Sequence, residues 1–310
     1  MRPARIPCIV ALLGAALAVA PALAADPPAC TLKQIVSLDM SIEDDGEVAI
    51  PAAINDQKGL LLIDTGSIES SINQAFAVQL KLRLRLGRNV YYLPGGVPIY
   101  QVANVDKLQL GPMSASDVWL EVVPWHTLEH DVFGMLAPDI MQNYDMDFDF
   151  AAGKLNIFSQ DHCEGEVVYW TKQPYSKVPM SLDSGGHIII PALLDGKEVK
   201  AMVDTGTGRS TITMDMATDL YGITEKSPDI KANGSVAVNR AVDAQMYHYP
   251  FKTLTFEGVT VQTPVIDILG GERFQGKEAE MILGIQTLRQ MHMYIAYGEH
   301  MIYLTPAEAR

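Results

Sequence analysis

Two aspartates, Asp64 and Asp204, have the residue type and setting needed for hydrolytic chemistry. Each ends an apolar run and is followed by Thr-Gly, first in LLLIDTGS and later in AMVDTGTG. Two carboxylates in contact cannot both ionise easily, so they hold one proton between them. One of them can then take a proton from a water molecule while the other donates a proton to a carbonyl oxygen. This chemistry requires that the two aspartates meet in the folded chain.

The two motifs belong to a longer internal repeat. Residues 46–52 match residues 186–192 without a gap, at the same 140-residue offset that separates the two aspartates. Residues 136–141 match residues 283–288 at an offset of 147, so the middle of the second repeat is longer. Self-similarity of this extent indicates a duplicated domain. Duplicated lobes pack naturally about a pseudo-twofold axis, and such an axis would bring Asp64 and Asp204 together.

The elements that must position these aspartates are mostly strands. Short apolar runs broken by Gly, Pro, Asn and Asp favour strands and turns along the chain. Each motif is expected to end a buried strand, because Thr favours strand geometry and Gly permits the bend that follows. Helices are predicted over residues 73–82, 138–143 and 214–221, and Asn233-Gly234 indicates a hairpin turn. We therefore expect an all-β chain built as two similar lobes.

The repeat also sets the expected domain boundaries. Residues 30–160 form the expected first lobe and residues 178–310 the second, with residues 161–177 as the connection between them. Residues 1–24 resemble a signal peptide, with a short basic region, an apolar stretch and an Ala-x-Ala site that predicts cleavage after Ala24. An uncleaved anchor is the alternative, although the apolar stretch is short for a spanning helix. No later segment is long and apolar enough to span a membrane.

The charge of the chain narrows its expected partners. The sequence has 23 basic and 37 acidic side chains, a formal net charge of −14. Removing residues 1–24 takes away two arginines and leaves 21 basic against 37 acidic side chains. Such a charge disfavours binding to nucleic acid and to anionic membrane surfaces.

The cysteine count suggests one disulfide. Of the three cysteines, Cys8 lies in the predicted leader, which leaves Cys30 just ahead of the first repeat and Cys163 just behind it. An even number in an oxidising compartment predicts that these two are bonded to each other. Two free buried thiols are the alternative.

The paired motifs, each followed later by an apolar-apolar-Gly-like segment, resemble the aspartic peptidases of the pepsin/retropepsin clan, and bacterial retropepsin-like proteins in particular. The resemblance covers about residues 35–305. It implies two closed β-barrel lobes with a cleft between them, with Asp64 and Asp204 catalytic. Thr65 and Thr205 would brace the pair, while Ser67 and Thr207 would hydrogen-bond the outer carboxylate oxygens. The remaining implied site residues are the motif glycines Gly66 and Gly206 and the flap glycines Gly95, Gly96 and Gly234.

Two features depart from the family pattern. In the second repeat Ile282-Leu283-Gly284 fits the apolar-apolar-Gly segment, whereas the aligned position of the first repeat is Ala137. Ala is small enough for close packing, so the fold is expected to tolerate it. No flap tyrosine can be assigned from sequence, because Tyr91, Tyr92 and Tyr100 all compete for that position.

A second motif points to different chemistry. Residues 126–130, with His126, Glu129 and His130, fit the His-x-x-Glu-His pattern of inverted zinc peptidases. That motif needs a long helix and a distant acidic third ligand. Pro124 lies just before it and Gly134 shortly after it, so a solvated loop is the favoured interpretation. We expect no metal and no cofactor.

These observations together predict an exported, monomeric aspartic endopeptidase, located in the periplasm or secreted. Its substrate would be a polypeptide in extended conformation, cleaved by a water molecule activated between Asp64 and Asp204. The alternative is a catalytically inactive periplasmic protein of the same fold that binds peptides or acts as a scaffold.

Overall fold

Strands account for most of the chain in the computed structural model. The structure describes residues 30–42, 46–93, 97–124, 131–239, 242–270 and 279–307. Thr31–Arg310 forms one compact unit.

The first half contains eleven strands and two short helices, in the following order: β1 Gln34–Asp39, β2 Ser41–Ile42, β3 Val48–Ile54, β4 Gln57–Ile63, β5 Ser71–Asn73, α1 Gln74–Gln79, β6 Arg83–Leu93, β7 Val97–Leu110, β8 Met113–Val123, β9 Val132–Leu136, α2 Pro138–Met141, β10 Asp145–Asp149 and β11 Lys154–Phe158.

The second half follows the same plan: β12 Ser176–Pro179, β13 Ser181–Leu182, β14 Ile188–Leu194, β15 Lys197–Val203, β16 Ser210–Thr213, α3 Met214–Tyr221, β17 Lys231–Asn239, β18 Val242–His248, β19 Thr253–Phe256, β20 Val259–Gln262, β21 Ile266–Leu269, β22 Met281–Leu283, α4 Ile285–Leu288, β23 Met291–Ala296 and β24 Met301–Pro306.

Each half curls a sheet around its own part of the core. In the first half the order is β2-β3-β4-β9-β5-β8-β7-β6, and a further pairing of β3 with β7 closes six of these strands into a barrel. The second half follows the same path, but the counterpart of β7 is divided into β18 and β19 around Pro250, which has no N–H to donate to a ladder. The all-β fold with two similar lobes is therefore confirmed.

A third sheet joins the two halves. Its order is β1-β11-β10-β23-β24-β12, and the antiparallel pair β10–β23 carries the seam between the repeats. Two fully buried carboxylates lie in this seam. Asp147 contacts the His292 ring at 2.6 Å, and Asp145 contacts the His162 ring at 2.6 Å. The last strands of each repeat thus belong to one shared sheet.

The helices agree with the sequence prediction in position but differ in length. α3 has the predicted bounds and ends at Gly222, whose φ of 68° is left-handed. α1 begins at the expected Asn73 cap but stops at Gln79, because the chain turns at Lys81, with φ 53°, to enter β6. α2 ends at Met141 rather than at residue 143. In the part of the chain that the structure describes, no helix is long and apolar enough to span a membrane.

The predicted pairing of the cysteines is confirmed. Cys30 and Cys163 are disulfide-bonded. Cys163 lies in the irregular segment between β11 and β12.

Candidate active site

The two aspartates occupy equivalent positions just beyond the ends of β4 and β15. β4 runs parallel to β9, and the Asp64 N–H donates to the carbonyl of Leu136 at 3.0 Å. β15 runs parallel to β22, and the Asp204 N–H donates to the carbonyl of Leu283 at 3.0 Å. Each aspartate is therefore attached by its backbone to a second, buried strand of its own lobe.

The two motifs hold each other through their threonines. The Thr65 hydroxyl donates to the Val203 carbonyl at 2.7 Å and accepts from the Thr205 N–H at 3.1 Å. The Thr205 hydroxyl donates to the Ile63 carbonyl at 2.6 Å and accepts from the Thr65 N–H at 3.2 Å. Both threonines are fully buried. The four bonds form a two-fold arrangement that links the lobes directly beneath the aspartates.

Hydrogen bonds from the first motif hold the Asp64 carboxylate. One oxygen accepts from the N–H groups of Gly66 and Ser67, at 2.8 and 3.0 Å, and the other accepts from the Ser67 hydroxyl at 2.6 Å. In the second motif the Gly206 N–H donates to Asp204 at 2.9 Å. The bond expected from Thr207 to Asp204 stays a prediction, and the Thr207 carbonyl accepts the N–H that begins α4.

The motif glycines bring the aspartates together by leaving room for them. A Cβ atom placed on Gly66 would lie 2.3 Å from the Asp204 carboxyl carbon, and one on Gly206 would lie 2.3 Å from the Asp64 carboxyl carbon. Each carboxylate thus rests on the glycine of the opposite motif. Neither glycine has a positive φ, so close approach, rather than the bend expected from sequence, is what requires Gly here.

Equivalent contacts in the two lobes support the two motifs. Register places Leu136 opposite Ile63 and Leu283 opposite Val203, so Ala137 occupies the place of Gly284, as the sequence alignment predicted. Both residues begin a short helix, and their N–H groups donate to serine hydroxyls, Ala137 to Ser70 at 2.9 Å and Gly284 to Ser210 at 3.1 Å. A Cβ on Gly284 would lie 2.5 Å from the Arg209 backbone. The second lobe therefore needs Gly at this position, while the first lobe accepts a methyl group.

The lobes differ sharply in charge beside the motifs. In the second lobe Arg209 contacts the buried Asp267 at 2.8 Å. The residues at the matching positions of the first lobe are Glu69 and Glu121, and Asp139 lies beside them. Burial and the charges of Glu69 and Asp139 raise the pKa of Glu121 to about 7. One buried oxygen of Glu121 has no hydrogen-bond partner in the part of the chain that the structure describes. Burial, partly offset by hydrogen bonds from Ser70, raises the pKa of Asp139 to about 6.

Sequence reasoning missed this contrast, although the 140-residue offset already aligns Glu69 with Arg209. The first lobe carries like charges at the place where the second lobe has an ion pair.

β6 and β7 form the hairpin that is expected to serve as a flap, a role that stays a prediction. Of the three competing tyrosines, Tyr91 points to the motif loop, because its hydroxyl donates to the Glu69 carboxylate at 2.9 Å. Tyr92 and Tyr100 are 69% and 54% exposed. The predicted tip residues Gly95 and Gly96 lie outside the described residues.

Gly234 does not form the predicted hairpin turn. It lies inside β17, at a register shift against β18, with a φ of 83°. β17 continues to Asn239, and β18, which begins at Val242, runs antiparallel to it. A left-handed Gly after Asn marks a β-bulge as readily as a hairpin turn, and sequence alone did not separate the two.

The alternative zinc motif at residues 126–130 also lies outside the described residues. Among the residues that the structure does describe, no cluster of His, Cys, Asp or Glu side chains has the grouping needed to hold a metal ion.

Comparison with known proteins agrees with this geometry. A family model described as aspartyl protease matches residues 50–137 and 190–287, which together make up more than half of the chain. Each matched region contains one Asp-Thr-Gly motif and ends at the helix that follows β9 or β22. No curated protein matches the sequence.

Proposed function

This chain belongs to the aspartyl protease family, and we propose that it is an exported aspartic endopeptidase that uses Asp64 and Asp204. The observation that carries the proposal is the reciprocal seating of each carboxylate on the glycine of the opposite motif. This seating brings the two carboxylates close to each other, and in the proposed mechanism they share one proton. The family implies a polypeptide substrate.

In the proposed reaction a water molecule attacks the peptide carbonyl carbon. One aspartate accepts a proton from that water while its partner donates a proton to the carbonyl oxygen. The threonine bonds and the motif N–H groups would keep the carboxylates in place, so that little reorganisation is needed during the reaction. The proposed role of Ser67 is to fix the orientation of Asp64.

Export is part of the proposal. The Cys30–Cys163 disulfide supports it, because disulfides persist mainly in oxidising compartments. We further propose that residues 1–24 are a cleaved leader, that the enzyme acts as a monomer and that it needs no metal or cofactor.

The test is cleavage of an unfolded protein substrate from acidic to neutral pH by the wild type and by two single variants, Asp64→Asn and Asp204→Asn. We expect each variant to lose activity by about 10²–10⁴-fold. Asp56→Asn is the matched control, because Asp56 lies in an exposed turn and pairs with Lys107 at the surface. Pepstatin is expected to inhibit the wild type, and a chelator is expected to have no effect.

Full activity in either active-site variant, or loss of activity on chelation, would contradict the proposal. A wild type that cleaves nothing at any pH yet binds an extended peptide would instead support the inactive peptide-binding alternative.

A further inference from the structure

The outer strand of the first-lobe hairpin has an unusual charge for this protein. Residues 70–105 contain no Asp or Glu, although the chain has 37 acidic side chains. Within that stretch β6 carries Arg83, Arg85 and Arg88, all of them exposed. Among the described residues, no acidic side chain pairs with Arg85 or Arg88. A strongly anionic protein therefore presents one concentrated cationic strand.

β6 is also the last strand of its sheet. It pairs with β7 on one side, and no described strand pairs with its other side. Its first part, Arg83 to Leu86, keeps a regular register with β7 before the register shifts ahead of Tyr91. A regular edge offers a row of unpaired N–H and C=O groups to which another strand can add.

Two of the arginines are held in place before any partner arrives. The Arg85 guanidinium lies over the Trp119 ring, 3.7 Å from its centroid, and that of Arg83 lies 5.5 Å away. Arg83 also donates to the Asn104 side chain at 2.7 Å. Side chains that are already ordered lose less entropy when they bind a carboxylate.

Edge guarding is the competing explanation, since charged side chains commonly protect an edge from unwanted pairing. A guarded edge avoids exposed apolar side chains, whereas β6 exposes Leu86 by 75%, Val90 by 49% and Tyr92 by 69%. Ordered arginines beside exposed apolar groups fit a surface that receives a partner.

We propose that the free edge of β6 is a docking strand for an extended, acidic segment of a partner polypeptide. Arg83 and Arg85 are two residues apart and share one face of the strand, while Leu84 and Leu86 share the other. The complementary segment therefore alternates acidic and apolar residues. An anionic membrane satisfies the arginines less well, because it cannot pair with the strand backbone and the net charge of −14 repels it.

The experiment measures binding by fluorescence anisotropy with the full mature chain carrying Asp64→Asn, so that the probe is not cleaved. The probe is a labelled, end-capped octapeptide of alternating Glu and Val, and the control probe alternates Lys and Val. We expect the Glu probe to bind at least about tenfold more tightly than the Lys probe. Binding should weaken as salt rises from about 0.05 to 0.5 M.

Variants locate the binding site. The double variant Arg83→Gln/Arg85→Gln is expected to lose binding by at least about tenfold, and the exposed control Lys58→Gln to keep it. A probe with N-methylated valines keeps its charge but loses backbone donors, so it should bind much more weakly. Circular dichroism of each variant checks that it is folded.

Four results would overturn the proposal. These are equal binding of the Glu and Lys probes, unchanged binding of the N-methylated probe, displacement of the probe by pepstatin, and binding only to anionic phosphatidylglycerol vesicles. Because no step requires catalysis, failure of this proposal leaves the proposed protease activity untouched, and the reverse also holds.

Discussion

Replacing Thr205 with Val tests the contact that joins the two lobes beneath the aspartates. Val has nearly the same shape as Thr but has no hydroxyl, so the substitution removes hydrogen bonds with little change in volume. The Thr205 hydroxyl donates to the Ile63 carbonyl and accepts from the Thr65 N–H, at 2.6 and 3.2 Å. Thr205 is fully buried, so water cannot replace either bond without entering the buried contact between the two motifs.

The size of the effect follows from these two bonds. Each buried polar group left without a partner costs about 1–3 kcal/mol, so the variant should lose about 2–6 kcal/mol of unfolding free energy. With an m value of about 3 kcal/mol/M in urea, the unfolding midpoint falls by about 0.7–2 M. Thr205→Ser keeps the hydroxyl and loses one buried methyl group, which costs about 0.8 kcal/mol.

The assay is urea unfolding with the disulfide intact, followed by tryptophan fluorescence and by circular dichroism. Thr255→Val is the matched control, because the Thr255 hydroxyl bonds that of Thr260 in an exposed position. We expect this control to change stability by less than about 1 kcal/mol. If Thr205→Val is as stable as Thr205→Ser, the threonines do not hold the lobes together and the reasoning fails.

Two further predictions concern the aspartate pair and the acidic side chains near it. Gly66→Ala places a methyl group where the opposing carboxylate rests, so activity should fall by about a hundredfold or more. Gly298→Ala is the control and should keep full activity, because the atoms nearest to its added methyl group lie 3.6 Å away. Burial and the charges of Glu69 and Asp139 raise the pKa of Glu121 from 4.5 to about 7, so ionisation of this carboxylate destabilises the fold as pH rises through that range. Glu121→Gln should therefore raise the urea midpoint at pH 8 and not at pH 4.5, and the reverse order would refute the assignment.

Local features of the fold were predictable because neighbouring residues determine them. The Asn73 cap and the left-handed Gly222 mark a helix start and a helix end, and both occur where the sequence placed them. Gly234 shows the limit of this reasoning. A left-handed Gly suits both a hairpin turn and a β-bulge, and only pairing with β18 selects the bulge.

The shared sheet could not be predicted from local patterns. Asp147 and His292 come together across 145 residues, and their types give no sign of that contact in a strand sequence. The same holds for Tyr91 on the β6–β7 hairpin. Its two exposed competitors have the same side-chain chemistry, and only the path of β6 brings one hydroxyl to Glu69.

The sequence by itself determined the register of the repeat and, through it, the pairing of Asp64 with Asp204. Repetition carries this information because two equivalent lobes place equivalent residues about one axis. Only the tertiary structure shows why the motif needs glycine, since a Cβ on Gly66 would clash with Asp204, 138 positions away, and not with its own neighbours. It also decided that the lobes differ, with an ion pair at Asp267 and, among the described residues, no hydrogen-bond partner for one carboxylate oxygen of Glu121. These properties depend on burial and on charges from several strands of a lobe, and the residue order along a single strand reveals neither.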